Sequence, residues 1–209
     1  PGTVICLAPP MHGFRPQADA RYLERRRLLD RLPDEPGYVV WLEAPYGYGK
    51  SVLTSQWARE LEDGGWSVVW LSGRYADLRG TVAAVLGAPA RSPWPVVLDV
   101  LFAGRTLAVL EDLEGLAEPE ELTPLLQDGR GLVLLASRTS LAASELPRLR
   151  TAGRLVHLRA EDLAFTPAEA AELVADPAVG RRLRDLTDGW PLPLHFAAIT
   201  GELPDRSPL

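Results

Sequence analysis

The residues of this chain that could do chemistry begin with a glycine-rich segment at positions 44–51, Ala-Pro-Tyr-Gly-Tyr-Gly-Lys-Ser. It matches the phosphate-binding pattern G-x-x-x-x-G-K-[ST], the P-loop, except that alanine replaces the first glycine. Gly47 and Gly49 would let the backbone curl so that its N–H groups point at phosphate oxygens. Lys50 would reach the β- and γ-phosphates, and Ser51 would offer its hydroxyl to Mg²⁺. The residues predicted to bind a nucleotide here are Ala44, Pro45, Tyr46, Gly47, Tyr48, Gly49, Lys50, Ser51 and Val52.

Lys50 is the single lysine among the 22 lysine and arginine residues of the chain. A compact ammonium group fits a crowded phosphate site better than a planar guanidinium does. A chain that otherwise uses arginine therefore places lysine where the phosphate-binding pattern requires it. A glycine-rich turn with a solvated lysine is the alternative at this point.

Two acidic residues, Glu111 and Asp112, follow the apolar run at 106–110. An apolar strand that ends in acidic residues is the Walker B pattern, whose carboxylate holds Mg²⁺ through water. Neighbouring strand residues point to opposite faces, so the two acids would have different roles unless the strand ends there. The pattern predicts Mg²⁺ contacts for Ser51, Glu111 and Asp112, although many ordinary strands also end in an acid.

Arg138 comes shortly after another apolar run, at 131–136. In P-loop proteins with an inserted central strand, that strand would lie between the P-loop strand and the Walker B strand. Arg138 would then face the γ-phosphate and could sense or stabilise its charge. A surface arginine in a turn is the alternative. The candidate catalytic residues are therefore Glu111, Asp112 and Arg138.

Continuously apolar runs alternate with segments of helical periodicity along the chain. This alternation is typical of an α/β fold with a parallel sheet that helices cover on both faces. Thr166 and Glu169 form a capping-box pattern, with proline at the first helical position between them. The predicted strands are 38–42, 66–71, 106–110, 131–136 and 154–158, and the predicted helices are 20–32, 51–62, 119–126, 166–174, 178–187 and 191–200, with helical pieces over 77–103 that break near Pro93 and Pro95.

The composition indicates a globular protein, since 46% of the residues are apolar, 24% are charged and the formal net charge is -6. The acidic balance disfavours direct contact with nucleic acid, because nucleic-acid modules are usually basic. Cys6 is the only cysteine, which excludes an intrachain disulfide and disfavours a zinc site. The apolar run around it is far shorter than a membrane span, so we expect a cytoplasmic protein without membrane contact.

The segment A-P-Y-G-Y-G-K-S-V-L-T-S-Q-W-A resembles the P-loop of the MalT-like, LuxR-type branch of STAND ATPases, which are signal-transduction ATPases with numerous domains. The similarity continues through V-V-W-L-S, L-V-L-L-A-S-R-T-S and T-D-G-W-P-L-P-L in the family's order. It implies a three-layer, AAA-like P-loop NTPase fold with a five-stranded parallel sheet, ending in a short helical segment. It also implies ATP or ADP with Mg²⁺ as ligands, with Pro191 packed against the adenine and the lead-in around 15–28 closing over the base.

The resemblance further implies a regulatory nucleotide switch in a bacterial transcriptional regulator. ATP binding would drive contacts with other domains or with a second copy, and hydrolysis would be slow or absent. The family's usual acidic pair is Asp-Asp, so Glu111 puts hydrolysis, rather than binding, in doubt. Two alternatives stay open, namely a degenerate domain that binds nucleotide or a partner without turnover, and a small-molecule P-loop kinase. On this interpretation the chain divides into an extended lead-in (1–19), a nucleotide-binding core (20–165), a C-terminal helical segment (166–200) and a tail or linker (201–209).

Three groups of other residues receive structural rather than catalytic interpretations. The scattered histidines lack partners at ligand spacing, an arginine run is expected to form a solvated helix face, and tryptophans in apolar runs are expected in the core. These residues are His12, His157 and His195; Arg25, Arg26 and Arg27; and Trp41, Trp66 and Trp70.

Overall fold

The fold is given by a computed structural model that describes residues 22–71, 77–116, 118–174 and 176–200. The predicted lead-in (1–19), the predicted tail (201–209) and the first two residues of the predicted 20–32 helix lie outside the described residues. The same holds for His12 and for the lead-in residues up to 21 that the family resemblance places near the base.

Five strands form one parallel sheet, and each is within one residue of its predicted bounds at both ends. The strands are β1 (Val39–Glu43), β2 (Ser67–Leu71), β3 (Thr106–Leu110), β4 (Leu132–Ser137) and β5 (Leu155–Arg159). Their order across the sheet is β2-β3-β4-β1-β5, so β4 lies between the P-loop strand β1 and the Walker B strand β3. The predicted five-stranded parallel sheet with an inserted central strand is confirmed.

Alternating side chains of each strand enter two separate apolar layers, one on either side of the sheet. Val40 and Leu42 pack with α1 (Arg26–Leu29) and α2 (Lys50–Asp63). Val39 and Trp41 pack in the opposite layer. That layer is covered by α3 (Leu78–Val85), α4 (Trp94–Leu101), α5 (Thr123–Asp128) and α6 (Glu145–Thr151). Because both faces are buried, the strands read as continuous apolar runs rather than as alternating ones.

The first helix is shorter than the predicted helix over 20–32, since within the described residues 22–32 only Arg26–Leu29 is α-helical. The backbone that precedes this helix is hydrogen-bonded to the side chain of Gln56 in α2. Gln56 Nε2 donates to Leu23 O at 2.9 Å, and Gln56 Oε1 accepts from Arg25 N at 3.1 Å. These groups are satisfied by a neighbouring helix instead of by helical bonds. Leu28 and Leu29 are nevertheless buried, as the predicted apolar face requires.

Three expectations need correction in detail. Arg25 is buried rather than solvated, with only 4% of its surface exposed, because its guanidinium is bound inside the protein. The break predicted near Pro93 and Pro95 lies between α3 and α4 and ends at Pro93, the N-cap of α4, whereas Pro95 lies in the first turn of α4, where proline costs no intrahelical hydrogen bond. Trp66 precedes β2 and is buried, whereas Trp70 is only half-buried.

The chain ends its described part with three helices that have a small apolar core of their own. After α7 (Ala160–Leu163) come α8 (Pro167–Leu173), α9 (Pro177–Thr187) and α10 (Pro191–Thr200). The predicted capping box is confirmed: Thr166 Oγ1 accepts from Glu169 N, and Glu169 accepts from Thr166 N. This core contains Phe165, Ala170, Leu183, Leu194 and Ala197. No helix among the described residues combines the length and the apolar character needed to cross a bilayer.

Candidate functional site

A cavity of about 330 Å³ opens where the carboxyl ends of β1, β3 and β4 meet the start of α10. Ligands of open α/β sheets bind at this edge. Most of the predicted site residues line it together, namely Tyr46, Gly47, Tyr48, Gly49, Lys50, Ser51, Val52, Glu111, Asp112, Arg138 and Pro191. Ala44 and Pro45 are outside the lining. Tyr22, Leu23 and Arg25 also line the cavity, and they belong to the lead-in around 15–28 that the family resemblance places over the base. The residues that the sequence did not indicate are Glu114, Ala136, Phe165, Leu192 and His195.

The glycine-rich segment turns sharply between β1 and α2. Gly47 has φ +80° and Gly49 has φ +77°, a region that residues with a side chain rarely adopt. Gly49 is the N-cap of α2 and carries no side chain, so the first helical N–H groups are left to face the cavity. Ala44, at the position where the pattern has glycine, is 1% exposed and belongs to an apolar core layer. The alanine is therefore accommodated by packing, away from the cavity.

Lys50 lies over the turn that it follows. Its Nζ donates to the backbone carbonyl of Ala44, and to that of Pro45 at 3.0 Å. Burial lowers the pKa of Lys50, and the charge of Arg138 lowers it further, while the nearby acids Glu114, Asp112 and Glu111 oppose this effect. The ammonium group is thus held at the mouth of the P-loop by bonds that a phosphate oxygen could replace.

The structure separates the two Walker B acids. Glu111 is 9% exposed and shares a hydrogen bond with the side chain of Ser51. Burial raises the pKa of Glu111, the charge of Asp112 adds to the rise, and the Ser51 bond and Lys50 oppose it. Asp112 is exposed, with a left-handed backbone at φ 54°. Its Oδ1 lies 3.3 Å from Arg138 Nη2. The chain leaves β3 at this point, so adjacent acids reach different partners.

Glu114 is a third acid of the cavity that the Walker B pattern did not include. It lies in a 3₁₀ turn, Leu113–Gly115, that directly follows Asp112. Its carboxylate accepts the backbone N–H of Arg138. This bond ties the loop after β3 to the loop after β4. The sequence shows Glu114 three residues beyond Glu111, but it does not show that the Glu114 carboxylate lies next to the backbone of Arg138.

The start of α10 is packed directly on the P-loop. Leu192 N donates to Gly47 O at 3.1 Å, and Trp190 Nε1 donates to Tyr46 O at 3.3 Å. The ring of Tyr48 stacks on that of Trp190 with centroids 6.4 Å apart. These contacts bring the buried Pro191 into the cavity wall. The helical segment and the phosphate-binding turn are therefore one continuous surface.

The other wall combines Tyr22 with groups of the helical segment. The rings of Tyr22 and His195 stack with centroids 4.7 Å apart. The Arg25 guanidinium lies 4.4 Å from the centroid of the Phe165 ring. These groups give this wall of the cavity flat aromatic surfaces beside the buried guanidinium of Arg25.

Arg25 holds this wall together. Its Nη2 donates to Leu163 O at 2.9 Å, and its Nε donates to Glu169 Oε1 at 3.1 Å. Burial lowers the pKa of Arg25, although the carboxylate of Glu169 opposes the shift. Burial would raise the pKa of Glu169, but the Thr166 N–H, Arg25 and Arg27 together lower it. The buried ion pair joins the segment before α1 to the start of α8.

The comparisons with known proteins give one group of curated relatives. No family model matches the chain. Over 241 aligned residues it is 27% identical to the serine/threonine-protein kinase PknK of Mycobacterium tuberculosis, covering 95% of this chain and 22% of PknK. PknK of Mycobacterium bovis matches equally well. The chain thus spans only 22% of the length of these relatives.

Solved structures of Walker-type ATPases share the fold. A Walker-type ATPase of Pyrococcus abyssi has a TM-score of 0.56 and 13% identity, over 91% of this chain and 72% of that one. Cdc6p from Pyrobaculum aerophilum has a TM-score of 0.56 and 15% identity, over 90% and 64%. Drosophila ORC bound to DNA has a TM-score of 0.52 and 13% identity, over 94% and 67%. At such identities the likeness concerns the fold alone, and the chain has the α/β P-loop ATPase fold of the Cdc6 and ORC type.

Proposed function

We propose that this chain is an ATP-binding regulatory domain that holds ATP or ADP with Mg²⁺ and hydrolyses ATP slowly or not at all. The observation that carries the proposal is the single cavity that gathers the P-loop, both Walker B acids, Arg138 and Pro191. Its volume, about 330 Å³, falls within the usual range for small-molecule sites. Its lining combines charged groups with flat aromatic groups, as a nucleotide requires.

The charged groups suit phosphates. Lys50 and the N-terminus of α2 supply positive potential and N–H donors. Arg138, 3.3 Å from Asp112, would contact the terminal phosphate when that ion pair rearranges. We assign phosphate binding to the turn 46–52 and charge sensing to Arg138.

The oxygen pair of Ser51 and Glu111 fits a magnesium ion. Both side chains offer hard oxygen donors, and they already lie within hydrogen-bonding distance of each other. Mg²⁺ is commonly held by one or two protein side chains together with phosphate oxygens and water. When bound, the ion would neutralise phosphate charge. Ser51 and Glu111 would be its nearest protein groups, with Asp112 farther out beside Arg138.

The flat groups suit a nucleobase. Tyr22, Phe165 and Pro191 present ring or pyrrolidine surfaces, and His195 stacks on Tyr22. The preference for adenine over guanine rests on the resemblance to STAND ATPases.

A regulatory role is supported by the contact between the P-loop and the helical segment. The Leu192–Gly47 and Trp190–Tyr46 hydrogen bonds join the P-loop turn to α10. A movement of this turn on binding or release of the terminal phosphate would therefore shift the start of α10. The resemblance to MalT-like STAND regulators suggests that other domains or a second copy respond to it, in a cytoplasmic transcriptional regulator. We propose domain limits at 20–165 for the core and 166–200 for the helical segment.

Single-turnover hydrolysis of radiolabelled ATP with Mg²⁺, with light scattering on the same samples, tests this role. We expect tight binding, turnover far slower than that of metabolic kinases, which is about 1–100 per second, and larger particles with ATPγS than with ADP. Fast turnover that requires a small-molecule acceptor would contradict the regulatory proposal and favour a kinase.

A second candidate is a degenerate domain that binds nucleotide or a partner without turnover and without switching. The buried Glu111 favours this candidate, because its hydrogen bond to the Ser51 side chain engages the carboxyl group that would otherwise act as the general base. Light scattering distinguishes the two, since only a switch forms larger particles with ATPγS than with ADP. Labelled phosphate that disappears in Glu111→Gln would also exclude the degenerate domain.

A further inference from the structure

A second cavity, of about 400 Å³, lies at the carboxyl ends of β1 and β5, beside the loop 140–144 and α6. It shares no lining residue with the nucleotide cavity among the described residues. Trp41, which lines it, belongs to the apolar layer on the sheet face opposite α2. The proposed nucleotide function does not use this cavity.

A polar cluster is built into its wall. His157 Nε2 lies 2.8 Å from Glu43 Oε2, and Arg150 Nη2 lies 3.0 Å from His157 Nδ1. A guanidinium can only donate, so Nδ1 must accept and the ring proton must be on Nε2, from which it is donated to Glu43. Ser140 Oγ donates to the other oxygen of Glu43. The cluster therefore has a defined tautomer and a fixed geometry.

The imidazole is also fixed from its face. The rings of Trp41 and His157 are stacked, with centroids 4.0 Å apart and planes 5° from parallel. Trp41 Nε1 donates to Ser137 Oγ at 2.9 Å. His157 has a side-chain exposure of 10%. A stacked, bonded and half-buried histidine gives the guanidinium of Arg150 a rigid support.

Two guanidinium groups line this cavity, and two carboxylates, Glu43 and Glu120, are bonded to other side chains of its lining. The charged side chains that line it, within the described residues, are Arg150 and Arg159. Glu43 is bonded to His157 and Ser140 and forms an ion pair with Arg159, whose Nε lies 3.9 Å from Glu43 Oε2. At this distance the N–H donors of Arg159 are not hydrogen-bonded to Glu43. Ser144, also in the lining, donates to Glu120 at 2.9 Å. Each guanidinium has five N–H donors, and the bond to His157 occupies one of those on Arg150.

We propose that this cavity is a second binding site, for a small molecule that carries a phosphate or a carboxylate group. Arg150 and Arg159 bind the oxyanion, and Trp41 and Leu141 contact the rest of the ligand. Two planar guanidiniums match the geometry of either oxyanion through paired N–H donors. The chemistry shared by both groups is a planar or tetrahedral oxyanion with at least two acceptor oxygens.

The test is an NMR titration of the arginine Nε–Hε and tryptophan indole signals. Inorganic phosphate is the probe in one arm and succinate in the other, and both are added to Lys50→Ala protein so that the P-loop does not compete for phosphate. We expect saturable shifts of the Arg159 and Trp41 signals with at least one probe. Phosphate alone identifies a phosphate-bearing ligand, and succinate alone a carboxylate-bearing one.

Charge-removing variants on two different elements make the test specific. Arg150→Gln keeps a donor for His157, and Arg159→Gln changes an exposed residue at the end of β5. Each should weaken the apparent affinity about tenfold or more. Arg148→Gln, on the same helix but outside the cavity lining, should leave it unchanged. Shifts that rise linearly without saturation, or equal affinities in Arg150→Gln, Arg159→Gln and Arg148→Gln, would overturn the proposal.

Discussion

Gly47 is the point at which the P-loop touches the helical segment, and adding a methyl group there should be costly for two separate reasons. The backbone at Gly47 has φ +80°, where a residue with a side chain is less stable by about 1–2 kcal/mol. A Cβ at this position would also lie 2.8 Å from Leu192 Cβ and 2.8 Å from Trp190 Nε1. Neither atom is the far end of a flexible chain, so relieving the overlap should cost about 1–3 kcal/mol more.

Gly49 provides the matched control. Its φ is +77°, nearly the same, but a Cβ there would meet no heavy atom within 4 Å among the described residues. Gly49→Ala should therefore show the backbone cost alone, and Gly47→Ala should be less stable than Gly49→Ala by about 1–3 kcal/mol. Urea unfolding without nucleotide, followed by circular dichroism, measures both free energies of unfolding. Equal destabilisation of the two variants would refute the packing of α10 on the P-loop.

Three further predictions concern buried charge. Arg25→Met should lower the free energy of unfolding by about 1–3 kcal/mol in chemical denaturation, because Glu169 loses its buried partner and keeps only the exposed Arg27 as a counter-ion. Arg26→Met removes only exposed pairs and should cost much less. Similar costs for the two variants would contradict the buried role of Arg25. Burial lowers the folded-state pKa of His157, and Arg159 and Arg150 lower it further, whereas Glu43 opposes the shift. As the pH falls, the unfolded state therefore binds a proton before the folded state does. The free energy of unfolding should decrease below about pH 6.5, by up to about 1.4 kcal/mol per pH unit. Unfolding from pH 7 to 5 should show a shallower slope in His157→Gln, and an identical slope would exclude this histidine as the source. Burial raises the pKa of Glu111, so the gain in ADP affinity that Mg²⁺ provides should shrink as the pH falls towards 5 in the wild type. Calorimetry on Glu111→Gln should show little such pH dependence. An unchanged pH dependence in this variant would mean that another group titrates.

The strands and their order could be predicted because the relevant signals are local. Apolar runs such as 106–110 and 131–136 fix buried parallel strands, and the P-loop at the end of β1 identifies the sheet edge where ligands bind. The capping box at Thr166 was visible for the same reason, since its two partners are three residues apart.

The long-range contacts could not be predicted in this way. Arg25 is bonded to groups 138 and 144 residues away in the chain, and nothing near it in sequence distinguishes it from the exposed Arg26. The split between Glu111 and Asp112 likewise depends on the left-handed turn at Asp112, where β3 has ended. Side chains whose partners come from another element need the tertiary structure.

The cluster around His157 illustrates the same limit at a second site. The sequence shows His157 as an isolated histidine in a strand, and this predicts a structural rather than a catalytic role for it. Its Glu43 and Arg150 contacts arise because β1 and β5 are neighbours and place Glu43 opposite Arg159 in register. The pairing of strands that are far apart in sequence therefore creates the cluster.

Nucleotide binding through Lys50 is the central claim, and isothermal titration tests it most directly. ADP, ATPγS and GTP are titrated with Mg²⁺ into the wild type, into Lys50→Ala, and into Arg59→Ala, which changes an exposed residue of the same helix outside the cavity lining. The account predicts adenine-nucleotide binding that is unchanged in Arg59→Ala and about ten- to a hundredfold weaker in Lys50→Ala. Nucleotide binding of equal strength in Lys50→Ala and the wild type, or no binding by the wild type, would contradict it.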